Sequence, residues 1–223
     1  MGKQIGIVGI TMLLIILGLS GCTQQNSSNE QTITPTIESI QTLLTKAETI
    51  KSMYYQIDAT ITMSQYATQT ATIKIWQKAL YLKVEINGVA AGTTNTITII
   101  QCPEGTYTYD TAQGKYVLTT DDVPSFATYL QYFNPEMIKK YLNNQSLTNF
   151  ETDTIDGKKA TIIQYTPTLG ENQMTVKIWI WNERGVPLKA YFNMAMEEFT
   201  MMMDSNFNNY SFADIPDNTF SIS

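Results

Sequence analysis

Histidine is absent from this chain, so the side chain that most often acts as a general base near neutral pH is missing. Only two cysteines are present, and a nucleophilic cysteine normally needs such a base to form its thiolate. The sequence also lacks a glycine-rich phosphate-binding loop. These absences argue against hydrolase or transferase chemistry, and we predict no catalytic residue and no cofactor.

Positive charge is scarce as well. The chain has 14 lysines and arginines against 20 acidic residues, a formal net charge of −6. An acidic surface repels both nucleic acid and anionic lipid headgroups. We therefore predict no nucleic-acid partner.

Long apolar runs occur only at the start of the chain, in "MGKQIGIVGITMLLIILGLSGC". One early cation, Lys3, precedes an apolar run from Ile5 to Leu17, and small residues then lead to Cys22. The run is shorter than the ~20 residues that a transmembrane helix needs. The pattern predicts an export signal over residues 1–22, with an uncleaved membrane anchor as the alternative.

The four residues that end this segment, Leu19-Ser20-Gly21-Cys22, resemble the lipobox of prokaryotic lipoproteins. The resemblance implies that the Cys22 thiol carries lipid such as palmitate and that Cys22 becomes the first residue of the mature chain. Two lipid chains anchor a protein stably, so we expect it at the extracytoplasmic face of the cell membrane. Cys102 then has no disulfide partner and is predicted to be a small buried side chain. The alternative is a secreted protein with an incidental cysteine.

After the signal, residues 23–34 are polar without an apolar period and are predicted to form a flexible stalk. Residues 35–223 show no break in composition and are predicted to form one domain. A helix should open it, because Thr34 and Pro35 are typical of a helix start. Apolar residues follow at helical spacing, namely Ile37, Ile40, Leu43, Leu44, Ala47 and Ile50.

Beyond the helix, apolar and polar residues alternate, which is typical of strands with one buried face. Residues 121–142 interrupt the alternation and are predicted to form two short helices. The predicted strands are 55–63, 70–77, 80–86, 96–102, 106–110, 115–118, 147–155, 159–165, 174–181, 187–196 and 198–204. The fold class is therefore α+β, a large antiparallel sheet packed on a few helices.

Several stretches resemble the outer-membrane lipoprotein-sorting, or lipoprotein carrier-like (LolA/LolB-like), family. They include "VKIWIWNERGVPLKAYF", residues 176–192, and the closing "NYSFADIPDNTFSI", residues 209–222, and the resemblance extends from about Ile37 to Ile222. It implies that the sheet curls into an unclosed half-barrel whose concave face, covered by helices, holds acyl chains. Carriers of this family hold their lid with an arginine. Here Arg184 is the only arginine and is predicted to lie in a turn. This departure from the family, together with the predicted lipid anchor, favours a stationary binder over a shuttle.

The stretch "AYFNMAMEEFTMMMD", residues 190–204, is rich in methionine. It is compatible with a soft-metal site, an ordinary core strand or the wall of a cavity for variable apolar guests. Strand alternation puts Met202 on the face opposite Met201 and Met203, which splits a metal cluster, so we predict no metal site. We favour the cavity wall, formed by Phe192, Met194, Met196, Phe199, Met201 and Met203.

The predicted function is a membrane-anchored extracytoplasmic lipoprotein that binds a lipid or lipoprotein acyl chain in an apolar half-barrel. The alternative is a cell-surface sensor or interaction domain of the same fold, with a filled core, that binds a protein partner. Sequons at Asn26, Asn144 and Asn209 are further candidate positions for glycans.

Overall fold

The computed structural model describes residues 37–64, 66–90, 92–119, 138–140, 147–169, 172–195 and 200–222. All of these residues belong to one compact unit. The predicted signal peptide, lipobox cysteine and stalk lie outside the described residues, as do the sequons at Asn26 and Asn144. Of the two helices predicted within residues 121–142, only 138–140 are described, and they are helical.

The first helix, α1, spans Ile37–Glu48 and was predicted from its apolar spacing. Ile40, Leu43 and Leu44 are buried, as the 3.6-residue period requires for one helix face. Lys46 lies in the last turn, where a cation complements the helix dipole. Its ammonium also donates a hydrogen bond to the carbonyl of Asn182 (2.6 Å), which ties the helix to a turn of the sheet.

Besides α1 and the helical residues 138–140, the described elements are twelve strands and one short 3₁₀ helix, Asp217–Phe220. The strands are β1 Ser52–Met63, β2 Tyr66–Lys78, β3 Tyr81–Ala90, β4 Thr93–Cys102, β5 Gly105–Asp110, β6 Lys115–Leu118, β7 Leu147–Ile155, β8 Lys158–Tyr165, β9 Thr168–Leu169, β10 Asn172–Trp181, β11 Pro187–Ala195 and β12 Thr200–Ser211.

The strands form one antiparallel sheet in the order β6-β5-β4-β3-β2-β1-β12-β11-β10-β8-β7, with β9 paired to β10. The last strand returns to pair with the first, so β1 and β12 lie side by side in the middle of the sheet. The path ends at β6 on one side and at β7 on the other, so the sheet is unclosed. The predicted fold class, an open antiparallel half-barrel with few helices, is confirmed.

Several predicted strand boundaries were wrong, among them the starts of β1, β2 and β4, and the short strand β9 was not predicted. Strand β12 continues beyond Asp204 to Ser211, although its asparagines are typical of turns. Pairing with β1 overrides that local preference, because Phe207 lies in the core while Asn206 remains exposed. Leu80 was assigned to β3, but it lies in the preceding turn and its side chain is exposed.

The two faces of the sheet differ in chemistry. The inner face carries the main core, in which α1 and Ile138 pack with residues such as Ile57, Ile73 and Ile178. On the outer face, Ile215 and Phe220 of the C-terminal segment form a smaller cluster with Ile100 of β4. No helix among the described residues is long and apolar enough to cross a membrane.

Candidate functional site

Four methionines form a continuous row across the inner face. Met174 of β10 lies opposite Met194 of β11, Met194 opposite Met201 of β12, and Met201 opposite Met63 of β1. Directly opposed residues of antiparallel strands share a face, with Cβ atoms ~5 Å apart. We call this set the methionine row.

Exposure increases from one end of the methionine row to the other. Met174 and Met194 are 1% and 0% exposed, whereas Met201 and Met63 are only partly buried. Tyr66, which lies opposite Met63 on β2, is 64% exposed. The row therefore leads from the core to the solvent at the hairpin that joins β1 and β2.

A second apolar row lies next to the methionine row. Val176, Phe192, Met203 and Ile61 oppose one another across the same four strands, and the first three are buried. The predicted residues Phe192, Met194, Met201 and Met203 are thus brought together on one face. Met196 and Phe199, also predicted for the wall, lie outside the described residues.

Met202 lies on the outer face, as strand alternation predicts. It is 39% exposed, whereas its neighbour Met203 is 2% exposed. Met202 pairs with Thr62 and Asn193, so its surroundings are polar. It therefore provides a matched reference for experiments on Met201, one residue earlier in the same strand.

Sequence reasoning missed two members of the methionine row. Met63 closes the alternating pattern of β1, and Met174 belongs to the predicted strand 174–181. Both were therefore expected to lie on strands. What connects them to Met194 and Met201 is the cross-strand register, which no local pattern of the sequence encodes.

Small residues form a third row on the inner face. Ala190, Ser205 and Ala59 oppose one another across β11, β12 and β1, followed by Ala71 of β2 and Gly88 of β3. Ser205 is completely buried, and its hydroxyl has no hydrogen-bond partner. An unsatisfied buried hydroxyl costs free energy, so it is an exception in an otherwise apolar face.

Aromatic side chains fill the opposite end of the inner face. Tyr55 stacks on Phe207 and Tyr210, with ring centroids 6.2 and 5.4 Å apart. Desolvation by burial raises the pKa of both Tyr55 and Tyr210 above the ordinary tyrosine value, so both hydroxyls are neutral at physiological pH. The Tyr210 hydroxyl donates to the carbonyl of Pro187. This end of the inner face carries no ionised aromatic group.

Arg184 lies in the turn between β10 and β11, as predicted. Its guanidinium lies 4.9 Å from the Phe212 ring and pairs with the neighbouring Glu183. Cys102 is a free cysteine that is partly rather than fully buried. Desolvation raises the pKa of its thiol, which lies beside Glu104, so the thiolate of a nucleophile is disfavoured.

No family model and no curated protein matches the chain. Solved structures do match. An uncharacterized conserved protein from Thermus thermophilus aligns with a TM-score of 0.50 at 12% identity, over 82% of this chain and 92% of that one. A LolA superfamily protein from Nitrosomonas europaea aligns with a TM-score of 0.37 at 12% identity, over 85% and 98%. The MucA/MucB complex of Pseudomonas aeruginosa gives 0.43 at 12% identity, over 82% and 61%.

At this identity, the match to the T. thermophilus protein concerns the fold alone. The strand order and the open edges identify the same architecture as the resemblance implied. The chain is thus similar in fold to the T. thermophilus protein, and its own sheet is an open antiparallel half-barrel.

Proposed function

We propose that the protein is an extracytoplasmic lipoprotein, anchored through Cys22, that binds the apolar chain of a lipid or lipoprotein without changing it chemically. The observation that carries this proposal is the methionine row, which runs from the buried Met174 and Met194 to the partly exposed Met201 and Met63. A guest chain that enters at Met63 would meet flexible thioethers along its whole path.

Methionine suits this role because its unbranched side chain adapts to guests of varied shape. Each methylene transferred from water into such a face gains about 0.8 kcal/mol. Association costs at least ~4 kcal/mol in lost freedom. A chain that buries roughly ten methylenes gains about 8 kcal/mol and offsets that cost, whereas a short chain does not.

The inner face also determines which part of a lipid stays outside. The methionine row and the row beside it are built entirely from apolar side chains, so they offer a charged headgroup no ion pair. Transfer of an isolated charge into such surroundings is strongly unfavourable. The headgroup is therefore expected to remain in solvent near Met63 and Tyr66, while the chain points towards Met194.

The test is a titration with a fluorescent long-chain fatty acid. The double variant Met194→Leu with Met201→Leu conserves volume and polarity, which usually costs under ~1.5 kcal/mol per site. It should remain folded but alter the dependence of affinity on chain length, because leucine adapts less well than methionine. The control Met202→Leu lies on the outer face and should bind like the wild type.

Equal chain-length profiles for the double variant and for Met202→Leu would contradict the methionine row as the binding surface. If the folded wild-type protein binds no apolar probe, its inner face is a filled core. A domain that binds a protein partner then becomes the better account of the fold.

The anchor is tested separately, by membrane fractionation. Cys22→Ser should leave the protein uncleaved or release it from the membrane, because the lipid-bearing thiol is lost. Cys102→Ser is the matched control and should leave attachment unchanged. Processed Cys22→Ser protein that remains membrane-bound would refute lipid anchoring without affecting the chain-binding proposal.

A further inference from the structure

The outer face carries a pocket of about 340 Å³ on the side of the sheet opposite the proposed lipid-binding rows. Five neighbouring strands, β12, β1, β2, β3 and β4, contribute to it. Its lining residues are Asp58, Ala59, Thr60, Thr70, Ala71, Thr72, Asn87, Val89, Thr94 and Asn206. All of them except Ala59 and Ala71 occupy outer-face positions of their strands. This volume lies within the range of small-molecule sites, which begins at ~300 Å³.

Short side chains in register create the depression. Asn206 lies opposite Asp58, Asp58 opposite Thr72, and Thr72 opposite Asn87, so all four share the outer face. The next cross-strand pair on that face, towards the other end of the strands, is longer: Lys74 lies opposite Glu85. A floor of threonine, asparagine and aspartate beside these longer side chains forms a shallow polar pocket.

Asp58 is the most firmly held group of this floor. Its Oδ1 accepts hydrogen bonds from Gln56 Nε2 (2.9 Å) and Thr72 Oγ1 (3.0 Å), and its Oδ2 accepts one from Asn208 Nδ2 (2.7 Å). Desolvation by burial raises the pKa of Asp58, but these three hydrogen bonds together lower it more, so the net pKa is below the ordinary value. The carboxylate is therefore ionised and fixed in position before any ligand arrives.

The remaining polar groups offer both donors and acceptors. Asn87 Oδ1 accepts a hydrogen bond from Thr96 (2.8 Å), which leaves the Asn87 amide nitrogen as a donor. The Thr72 hydroxyl donates to Asp58 and remains an acceptor. Within the described part of the chain, the side chains of Thr60, Thr70, Thr94 and Asn206 form no hydrogen bond, so they are available to a ligand.

The charge of the pocket excludes anions. Among the described residues, its lining contains one carboxylate and no lysine or arginine. Of the roughly four acceptor positions on the Asp58 carboxylate, three are occupied by the protein's own donors, so one remains for a ligand. The polar side chains around it are neutral threonines and asparagines. A ligand rich in hydroxyl groups fits better, because every hydroxyl both donates and accepts a hydrogen bond. Val89, which is partly exposed, adds an apolar surface for C–H groups.

We propose that this pocket binds a neutral sugar residue, with Asp58 as the central acceptor and the threonine and asparagine side chains as its supports. The proposal does not depend on lipid binding, because the two sites lie on opposite faces of the sheet. No aromatic residue lines the pocket in the described part of the chain, so a stacking platform is missing. Affinity for a single sugar should be weak, with a Kd of about 1 mM or above.

The experiment follows backbone amide signals of the purified, ¹⁵N-labelled protein during titration with glucose, galactose and N-acetylglucosamine. At least one sugar should produce saturable shifts at residues 58–60, 70–72 and 87. Thr60→Tyr fills the pocket and should weaken binding about tenfold or more, equivalent to ~1.4 kcal/mol. Thr62→Tyr, on the same face of the same strand but outside the lining, should bind within about twofold of the wild type.

Asp58→Asn provides a second variant that should preserve the fold. Asn208 Oδ1 is buried without a partner, so the Asn208 amide can rotate and accept a hydrogen bond from the new side-chain amide. Loss of the charged acceptor should weaken sugar binding at least threefold, or ~0.7 kcal/mol.

Three results would overturn the proposal: no sugar shifts these amides, the Thr60→Tyr and Thr62→Tyr variants bind alike, or tetramethylammonium binds more tightly than every sugar.

Discussion

At the scale of single residues, Ser205 places an unpaired polar group in the apolar inner face. It is completely buried between Ala59 and Ala190, and its hydroxyl has no partner. Ser52 is nearly as buried, but its hydroxyl accepts the backbone N–H of Ile215 at 3.0 Å. Both serines bury a hydroxyl group, but only the Ser52 hydroxyl forms a hydrogen bond that compensates for its loss of solvent.

We expect Ser205→Ala to raise the free energy of unfolding by about 1 kcal/mol, because it removes an uncompensated polar group. Ser52→Ala should lower it by about 1–2 kcal/mol, because the Ile215 N–H loses its acceptor in a buried site. Chemical denaturation of both variants measures the difference. Equal destabilisation by the two substitutions would mean that Ser205 has a partner in solution.

At the scale of elements, α1 and the β10–β11 turn approach each other so closely that the turn needs a glycine. A Cβ atom on Gly185 would lie 2.4 Å from the carbonyl oxygen of Leu43 and 3.0 Å from the backbone nitrogen of Ala47. Gly185 also has φ +72°, a region that L side chains rarely adopt. The hydrogen bond from Lys46 to Asn182 joins the same helix end to the same turn.

Gly185→Ala should therefore destabilise the protein by more than backbone strain alone. Gly157 provides the control, since its φ is +76° and nothing lies within 4 Å of its would-be Cβ. We expect Gly157→Ala to cost about 1 kcal/mol, and Gly185→Ala roughly 1–3 kcal/mol more, because the helix must shift. Thermal or chemical unfolding measures the loss of stability in each variant. Equal losses for Gly185→Ala and Gly157→Ala would show that α1 does not contact this turn in solution.

The elements also show how far the sequence alone can predict the structure. Alternation predicted nearly all the long strands, because one buried face imposes a period of two on each strand by itself. It failed at residues 205–211 of β12, where pairing with β1 outweighs the turn preference of the asparagines. The methionine row was only half predicted, because Met63 and Met174 reach Met201 and Met194 through pairings between distant segments. The outer pocket depends on the same long-range register and gave no local signal.

At the scale of the whole molecule, one open sheet separates two chemistries. The inner face is mainly apolar and becomes more exposed along the methionine row. The outer face holds the polar pocket centred on Asp58, besides the small cluster of Ile100, Ile215 and Phe220. Because side chains on alternate positions of a strand point to opposite faces, a change at Met201 need not disturb Met202. The two proposed sites can therefore be altered independently, which makes each of them testable in the presence of the other.

The central claim, that an apolar chain lies along the methionine row, is tested most directly by NMR of the protein labelled with ¹³C at its methionine methyl groups. Signals are assigned with single methionine-to-leucine variants, and a long-chain fatty acid is then added. The account predicts that the methyl signals of Met63, Met174, Met194 and Met201 shift together and saturate, while the signal of Met202 on the outer face stays in place. Unchanged signals from all four in a folded protein, or a shift confined to Met202, would contradict it.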